Sequence, residues 1–134
     1  MPTIEQLEAQ AAGMGLSLTE QSLARDLGQY DARTRTITLH DRLNNRQRLC
    51  TLQHELIHAE HHRDGLMILG KAKEESLTRR QTAKRLITMS DYATAEDMCD
   101  GSPWHMAAEL GVTVEVLEDF RNMLHDGMLP FSRR

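Results

Sequence analysis

Residues 51–59 read Thr-Leu-Gln-His-Glu-Leu-Ile-His-Ala and carry two histidines, His54 and His58, four positions apart. On an α-helix, residues four apart lie one turn apart on the same face, so both imidazoles can reach a single cation. Glu55 would then project beside the open coordination position of that cation, where a general base is needed. This HExxH motif predicts a zinc-dependent hydrolase. The alternative is an exposed helix that carries two histidines by chance.

The flanking residues predict that the motif lies in one long helix. Asp41 or Asn44 can cap a helix over residues 45–62, and Arg63-Asp64-Gly65 ends it. Apolar residues at helical spacing would bury one side of this helix, namely Leu49, Leu52, Leu56 and Ala59. Residues 71–88 predict the next helix.

The residues before the motif predict a different local structure. Residues 3–14 indicate an amphipathic helix, whereas residues 23–39 change to an alternating pattern. Residues 28–34 interrupt two short segments there, which indicates a β-hairpin whose second strand covers residues 35–40.

The last third of the chain predicts shorter helices around residues 92–99, 103–110 and 114–124. Together these patterns predict an α+β, mainly helical fold with a small antiparallel β-sheet or hairpin before the HExxH helix. We expect one domain over residues 1–134, with residues 90–126 as a helical C-terminal subregion.

Composition narrows the class of protein. The chain has 134 residues, of which 40% are hydrophobic, enough for one folded domain with a modest core. The formal charge of −4 gives no basic footprint for a nucleic acid, so no nucleic-acid partner is expected. Cys50 and Cys99 form no CxxC pair, which favours a reduced, cytoplasmic protein. We also expect no membrane partner, because neither a membrane span nor a signal peptide is evident.

A catalytic zinc normally has three protein ligands, so the two histidines require a partner. The first candidate is Glu75 or its neighbour Glu74, on the following helix. The second is Asp64, where the longer HExxHxxGxxH pattern has its last ligand, but residue 61 is not the glycine which that pattern needs. The third is His61 or His62, which continue the helix away from the metal. A glutamate is the favoured ligand.

The two glutamates point about 100° apart on a helix. Glu75 aligns at helical spacing with Arg79, Thr82 and Ala83, which would put it nearer the buried side than Glu74. Glu75 is therefore the predicted third ligand and Glu74 the alternative. Without a metal site, both would be surface acids.

Other residues have less certain roles in such a site. Cys50, one turn before His54, could supply a fourth ligand and close the site, although burial is the commoner role of a free cysteine. Tyr30, Tyr92 and His105 have the chemistry to stabilise an oxyanion, and their spacing does not distinguish them. The second ring nitrogens of both histidines should each have an acceptor, which acids and amides of the strand region could supply.

With these features the chain resembles the ImmA/IrrE family of zinc metallo-endopeptidases, especially its short phage and prophage members. The resemblance covers residues 28–30, 35–39, 46–48, 51–59 and 75–87. It implies a zincin-like, gluzincin-type domain in which His54, His58 and Glu75 bind Zn²⁺ and Glu55 acts as the catalytic base. It also implies proteolysis of an intracellular regulator, such as a helix-turn-helix transcriptional repressor.

Two other classes of function compete with the peptidase. A non-catalytic zinc protein could bind and sequester a repressor. A DNA-binding module is suggested by residues 106–117, which have the rhythm of a helix-turn-helix. Its second helix, however, carries Glu115, Glu118 and Asp119 against Arg121 alone, which suits a phosphate backbone poorly. We therefore interpret this segment as a helical hairpin that packs on the core or docks a protein.

The expected substrate is an extended peptide, held in a shallow cleft beside the metal and along the edge of the small sheet. Trp104, Tyr92 and several methionines could form an adaptable docking surface, although most of them should fill the core.

Overall fold

The elements of the fold follow the predicted order closely. A computed structural model describes residues 1–129; residues 130–134 of the predicted domain lie outside this range. The elements are α1 (Ile4–Gly13), β1 (Ser17–Gln21), β2 (Gly28–Asp31), β3 (Thr36–His40), α2 (Asn45–Arg63), a 3-10 helix (Leu66–Leu69), α3 (Lys71–Leu86), α4 (Met89–Met98), α5 (Pro103–Leu110) and α6 (Val114–His125). The predicted α+β, mainly helical class is confirmed.

Local capping sets the ends of the central helix. Asn44, one of the two predicted caps, accepts a hydrogen bond from the Gln47 backbone N–H, and the Gln47 side chain accepts one from the Asn44 N–H. This reciprocal pair satisfies two N–H groups that the first turn leaves free. At the other end Gly65 adopts a left-handed conformation with φ 80°, which lets the chain leave the helix.

The predicted hairpin is present, but its first strand lies later than expected. β2 pairs antiparallel with β3, from Gly28 opposite Leu39 to Asp31 opposite Thr36. Residues 28–31 were predicted to interrupt the strands, so that prediction is wrong. The turn is confined to residues 32–35 because the Asp31 carboxylate accepts hydrogen bonds from the N–H groups of Arg33 and Thr34.

The sheet as a whole is mixed, since a strand that the sequence did not predict adds to the hairpin. β1 pairs parallel with β3, and the strand order is β1-β3-β2. In β1 only Leu18 is partly buried, and the other four residues are exposed. A strand with so little apolar alternation has no clear signal in its sequence. β2 is left as one of the two edges of this sheet.

Helix α2 is the centre of the packing and positions the site. Leu52 and Leu56 are fully buried in a core shared with Ile37 and Leu39 of β3 and with Phe120 of α6. Burial of each such side chain contributes about 1.5–3 kcal/mol. α2 therefore packs against the sheet on one part of its surface and against α3 on another. Helix α6 in turn packs on α3.

Helix α4 begins earlier than the predicted residue 92. The Thr88 side chain accepts a hydrogen bond from the Asp91 N–H and caps a helix that starts at Met89. No helix within residues 1–129 is both long enough and apolar enough to span a membrane.

Candidate metal centre

Three of the predicted site residues meet between α2 and α3. His54 Nε2 lies 3.2 Å from His58 Nε2 and 3.3 Å from a Glu75 carboxylate oxygen. The other Glu75 oxygen lies 2.9 Å from His58 Nε2. Ligand atoms on a tetrahedral ion with bonds of about 2.0–2.1 Å are separated by about 3.3 Å. The two nitrogens and the Glu75 carboxylate, whose ligand atoms lie within 4.8 Å of one another, are therefore close enough to bind one small divalent cation.

The other candidates for the third position lie outside this group. Within the part of the chain that the structure describes, His54, His58 and Glu75 are the residues whose ligand atoms come together. Asp64 instead pairs with Arg63 in solvent, and His62 lies beside the ring of Tyr30. His61 is buried behind the site.

The reason given for preferring Glu75, that it lies nearer the buried side than Glu74, is wrong. The Glu74 side chain is 6% exposed, whereas the Glu75 side chain is 46% exposed. The buried stripe of α3 is polar, because Glu74, Thr78 and Thr82 follow one another at helical spacing. An apolar pattern could not reveal it. Glu75 borders the cleft, where a metal ligand is needed.

Glu74 holds the second histidine from behind. One oxygen of its carboxylate lies 2.7 Å from His58 Nδ1 and 2.7 Å from His61 Nδ1, and it accepts a 2.8 Å hydrogen bond from the Thr78 hydroxyl. When the neutral His58 ring donates its Nδ1–H to Glu74, its Nε2 lone pair is free to bind a cation.

The prediction that the strand region supplies this acceptor is wrong for His58, whose partner comes from α3. Among residues 1–129, His54 Nδ1 makes no hydrogen bond of this kind. Sequence reasoning did not assign His61 to this network. Its signal was the spacing alone, since His61 is three residues after His58 and Thr78 is four after Glu74.

The pKa values of Glu75 and His58 depend on each other. Hydrogen bonds to His54 and His58 hold the pKa of Glu75 far below its ordinary value. Burial alone would lower the pKa of His58, but hydrogen bonds to Glu75 and Glu74 outweigh it and raise that pKa to about 9. In the metal-free protein His58 therefore retains a proton that a cation must displace.

Glu55 is in a tightly packed environment beside the histidines. It is 7% exposed, and burial raises the pKa of its carboxyl above the ordinary value. The backbone of Gly28 approaches it closely: a Cβ atom there would lie 2.5 Å from Thr51 Cγ2 and 3.4 Å from Glu55 Cγ. A side chain at residue 28 would displace the helix that carries the motif.

An open cleft of about 460 Å³ borders the centre. Its walls come from residues 26–28 before and in β2, from α2, from α3 and from the start of α6. Arg79 of α3 and Asp119 of α6 form an ion pair with a closest distance of 2.7 Å, which ties two of these walls together. A peptide can enter from the side that remains open.

Cys50 lines the cleft but does not join the ligand group. It is 5% exposed and contacts Thr113, the cap of α6; burial raises the pKa of its thiol. A buried, protonated thiol agrees with the packing role and not with a fourth ligand.

The three oxyanion candidates lie away from the cleft. Tyr30 stacks edge-on near His62, with ring centroids 6.5 Å apart. Tyr92 is buried, and its hydroxyl accepts a hydrogen bond from Arg121. His105 borders a separate depression. None of the three is among the residues that line the cleft, so the structure does not support this prediction.

The helical pair α5–α6 packs on the core. Gly111, with φ 72°, makes the turn, and Leu117 and Phe120 of α6 are buried. Glu115 and Asp119 of the same helix line the metal cleft. The helix that would read DNA in a helix-turn-helix is here a wall of the candidate site.

The chain matches the model of a known protein family, and the match covers the whole candidate site. The model of the IrrE N-terminal-like domain, a peptidase family, matches residues 14–120. The matched range includes both histidines, Glu55, Glu74 and Glu75. The comparisons with curated proteins and with solved structures gave no match.

Proposed function

Because the chain belongs to the ImmA/IrrE family through its IrrE N-terminal-like domain, we propose that it is a zinc-dependent endopeptidase. Family membership supports a metallopeptidase-like function. The observation that carries the proposal is the triangle of His54, His58 and Glu75, with Glu55 next in sequence to a ligand and an open cleft alongside.

Zinc is the proposed ion because of the chemistry of its ligands. Two imidazoles and one carboxylate are the donors of many catalytic zinc sites, and three protein ligands leave a fourth position for a reactant. Bound zinc would supply a Lewis acid that activates water and polarises an amide carbonyl.

The residues of the chain supply the rest of the mechanism. Glu74 holds the His58 ring through Nδ1, which would leave Nε2 available to a bound zinc. Glu55 takes a proton from the attacking water and delivers it to the leaving amine. Its burial, which raises its pKa, suits this exchange, since a proton shuttle works best when its pKa is near the working pH.

The edge of the sheet supports binding of an extended substrate. Among the strands of residues 1–129, β2 pairs only with β3, and the His40 N–H donates to the Leu27 carbonyl at 2.8 Å. By the alternation of an antiparallel ladder, the backbone groups of Gly28 and Tyr30 point away from β3. A peptide could add there as a further strand while it passes the metal.

The proposed substrate is a flexible segment of a cytoplasmic regulator, in particular a helix-turn-helix repressor. This part of the proposal rests on the resemblance to phage and prophage members of the family. An extended segment is required because the cleft is shallow and is walled by secondary structure that leaves no room for a folded domain.

A paired measurement tests this function. Metal content by mass spectrometry should give one zinc per chain for the wild type and for Glu55→Gln, because the substitution preserves all three ligands. Incubation with a helix-turn-helix repressor should yield new peptide termini with the wild type, and cleavage by Glu55→Gln should be about 10²–10⁴-fold slower. Glu96→Gln, at an exposed acid of α4, is the matched control and should cleave normally.

Two results would contradict the proposal. A wild-type protein that binds no zinc would remove its basis. A zinc-loaded Glu55→Gln protein that relieves repression as well as the wild type would instead indicate sequestration of the repressor.

A further inference from the structure

A second depression continues the metal cleft towards the start of α2. It has a volume of about 240 Å³, and its lining includes Arg46, Trp104 and Val114. Three further lining residues, Gln47, Thr113 and Glu115, also line the metal cleft. Because the two depressions share these walls, they adjoin each other, and we call the two together the groove between the metal centre and Trp104.

Trp104 lies exposed at the far end of this groove. It is the one tryptophan of the chain and is 75% exposed. A tryptophan ring is among the largest apolar surfaces that a protein can offer, and such rings dominate many binding interfaces. The ring is carried on the first turn of α5, which Met106 and Ala107 anchor in the core with no exposed surface. The aromatic surface is therefore held on a rigid element.

The length of the groove corresponds to a short stretch of extended peptide. From His54 back to Gln47 is seven residues of helix, and to Asn44 ten, or about 10 to 15 Å. An extended chain covers about 3.3 Å per residue. A substrate that lies along the groove would therefore reach Trp104 about three or four residues from the metal.

The charges beside the ring favour an apolar occupant. Arg46 and Glu115 lie on the walls and have opposite signs, so neither a cation nor an anion is selected. Trp104 and Val114 supply the apolar contacts. A side chain that buries itself against them gains both hydrophobic and aromatic contact energy.

We propose that Trp104 and Val114 form a distal specificity subsite, which binds an apolar side chain of the substrate about three or four residues from the bond that is cleaved. This inference rests on the proposed function, since it takes the metal centre as the place of cleavage. It adds a requirement on the substrate sequence that HExxH chemistry alone does not impose.

Peptide hydroxamates provide a probe with a fixed anchor, because the hydroxamate chelates zinc. One series carries it at the C-terminus of an alanine peptide and a second at the N-terminus, so that both chain directions are sampled. A single phenylalanine is placed from one to about six residues away, a range that covers the groove. Binding to the zinc-loaded wild type and to every variant is measured by isothermal titration calorimetry. In the wild type, the emission of Trp104 should also shift to shorter wavelength when the ring is covered.

In one of the two series, affinity and blue shift should both be greatest at a spacing of about three or four residues. Trp104→Ala should lower that affinity about tenfold and abolish the preference for spacing, whereas Trp104→Phe should retain most of it. Met98→Ala removes an apolar side chain that is 63% exposed and borders a different depression, and it should change nothing.

Acetohydroxamate separates failure of this inference from failure of the function. It reaches only the metal and should bind wild type and Trp104→Ala equally. If it binds but neither peptide series prefers any spacing, the subsite is wrong and the metal centre stands. If neither acetohydroxamate nor the peptides bind, the metal centre is wrong and the subsite falls with it.

Discussion

His58 has two different sides, and the difference between them explains the design of the centre. Its Nε2 faces the cleft, where it meets Glu75; its Nδ1 faces the interior, where it meets Glu74. The two glutamates are neighbours in sequence, yet the Glu75 side chain is 46% exposed and that of Glu74 is 6% exposed. We call these the cleft side and the buried side of His58.

Each side needs the environment that it has. A ligand to a catalytic ion must lie where substrate and water can also reach that ion, and Glu75, the proposed ligand, is half open to solvent. A residue that orients a ligand must itself be held, so Glu74 is surrounded by His58, His61 and Thr78. The burial of Glu74 therefore agrees with a supporting role, and the exposure of Glu75 agrees with the proposed role of ligand.

The largest expected effect is on the cleft side. Glu75→Ala removes one of three donors and should weaken zinc binding by more than roughly a hundredfold. Loss of a ligand lowers zinc affinity more than loss of a residue that only orients a ligand. Competition with a chromophoric chelator measures the constant. Unfolding of the metal-free variant should remain cooperative, because Glu75 is not part of the core. Zinc affinity close to that of the wild type would exclude Glu75 as a ligand.

On the buried side the expected loss is smaller. Glu74→Gln retains an acceptor for one donor but loses the charge, and zinc affinity should fall about 10–100-fold. Glu74→Ala leaves the Nδ1 groups of His58 and His61 with only the longer contacts to the Thr78 hydroxyl, at 3.3 and 3.2 Å, and should also lower the free energy of unfolding by about 2–4 kcal/mol. The same chelator assay and denaturant melts measure both quantities.

The comparison of these variants decides between the two glutamates. If Glu74→Gln loses zinc as completely as Glu75→Ala does, Glu74 is itself a ligand and the assignment of the two sides must be exchanged.

The two sides also predict opposite effects of pH on the metal-free and zinc-bound protein. The pKa of His58 is about 9 in the folded protein, against an ordinary value of 6.5, so the proton on His58 stabilises the metal-free fold fully below pH 6.5. That contribution is lost as the pH rises through 9. Zinc needs the neutral ring, so its affinity should increase about tenfold per pH unit across this window.

Denaturant melts with zinc and with a chelator, at intervals of pH from 6.5 to 9, check this directly. The stabilisation by zinc should grow with pH while the metal-free protein becomes less stable. Parallel pH profiles for the two forms would show that the ion does not displace the proton of His58.

The contrast between the sides also shows what the sequence could predict. The residues of the cleft side could be predicted because HExxH spacing determines where two rings point on any helix. The helix itself was indicated by its Asn44 cap and its apolar residues. The residues of the buried side could not be predicted, because His61, Glu74 and Thr78 are polar residues that are buried only as a set. No single one of them has a pattern that predicts burial.

The strands of the sheet also differ in whether the sequence could predict them. β3 was predicted because Ile37 and Leu39 alternate with threonines and are both buried. β1 has one partly buried residue and is held by its backbone pairing with β3, which leaves no trace in the sequence. The helical pattern put Glu75 on the more buried face of α3, which is wrong, and the structure brings Glu75 to the two histidines on the exposed face instead.

The smallest expected effect tests whether the buried side acts as a unit. Thr78→Val keeps the shape of the side chain and removes one hydrogen bond to the Glu74 carboxylate; it should lower the free energy of unfolding by about 1 kcal/mol and zinc affinity by less than Glu74→Gln does. Thr82→Val is the matched control, because the Thr82 hydroxyl donates to the Thr78 carbonyl and not to a carboxylate. If Thr82→Val reduces zinc affinity as much as Thr78→Val, the loss reflects helix α3 in general; a loss confined to Thr78→Val means that support of the ion extends from His58 through Glu74 to this hydroxyl.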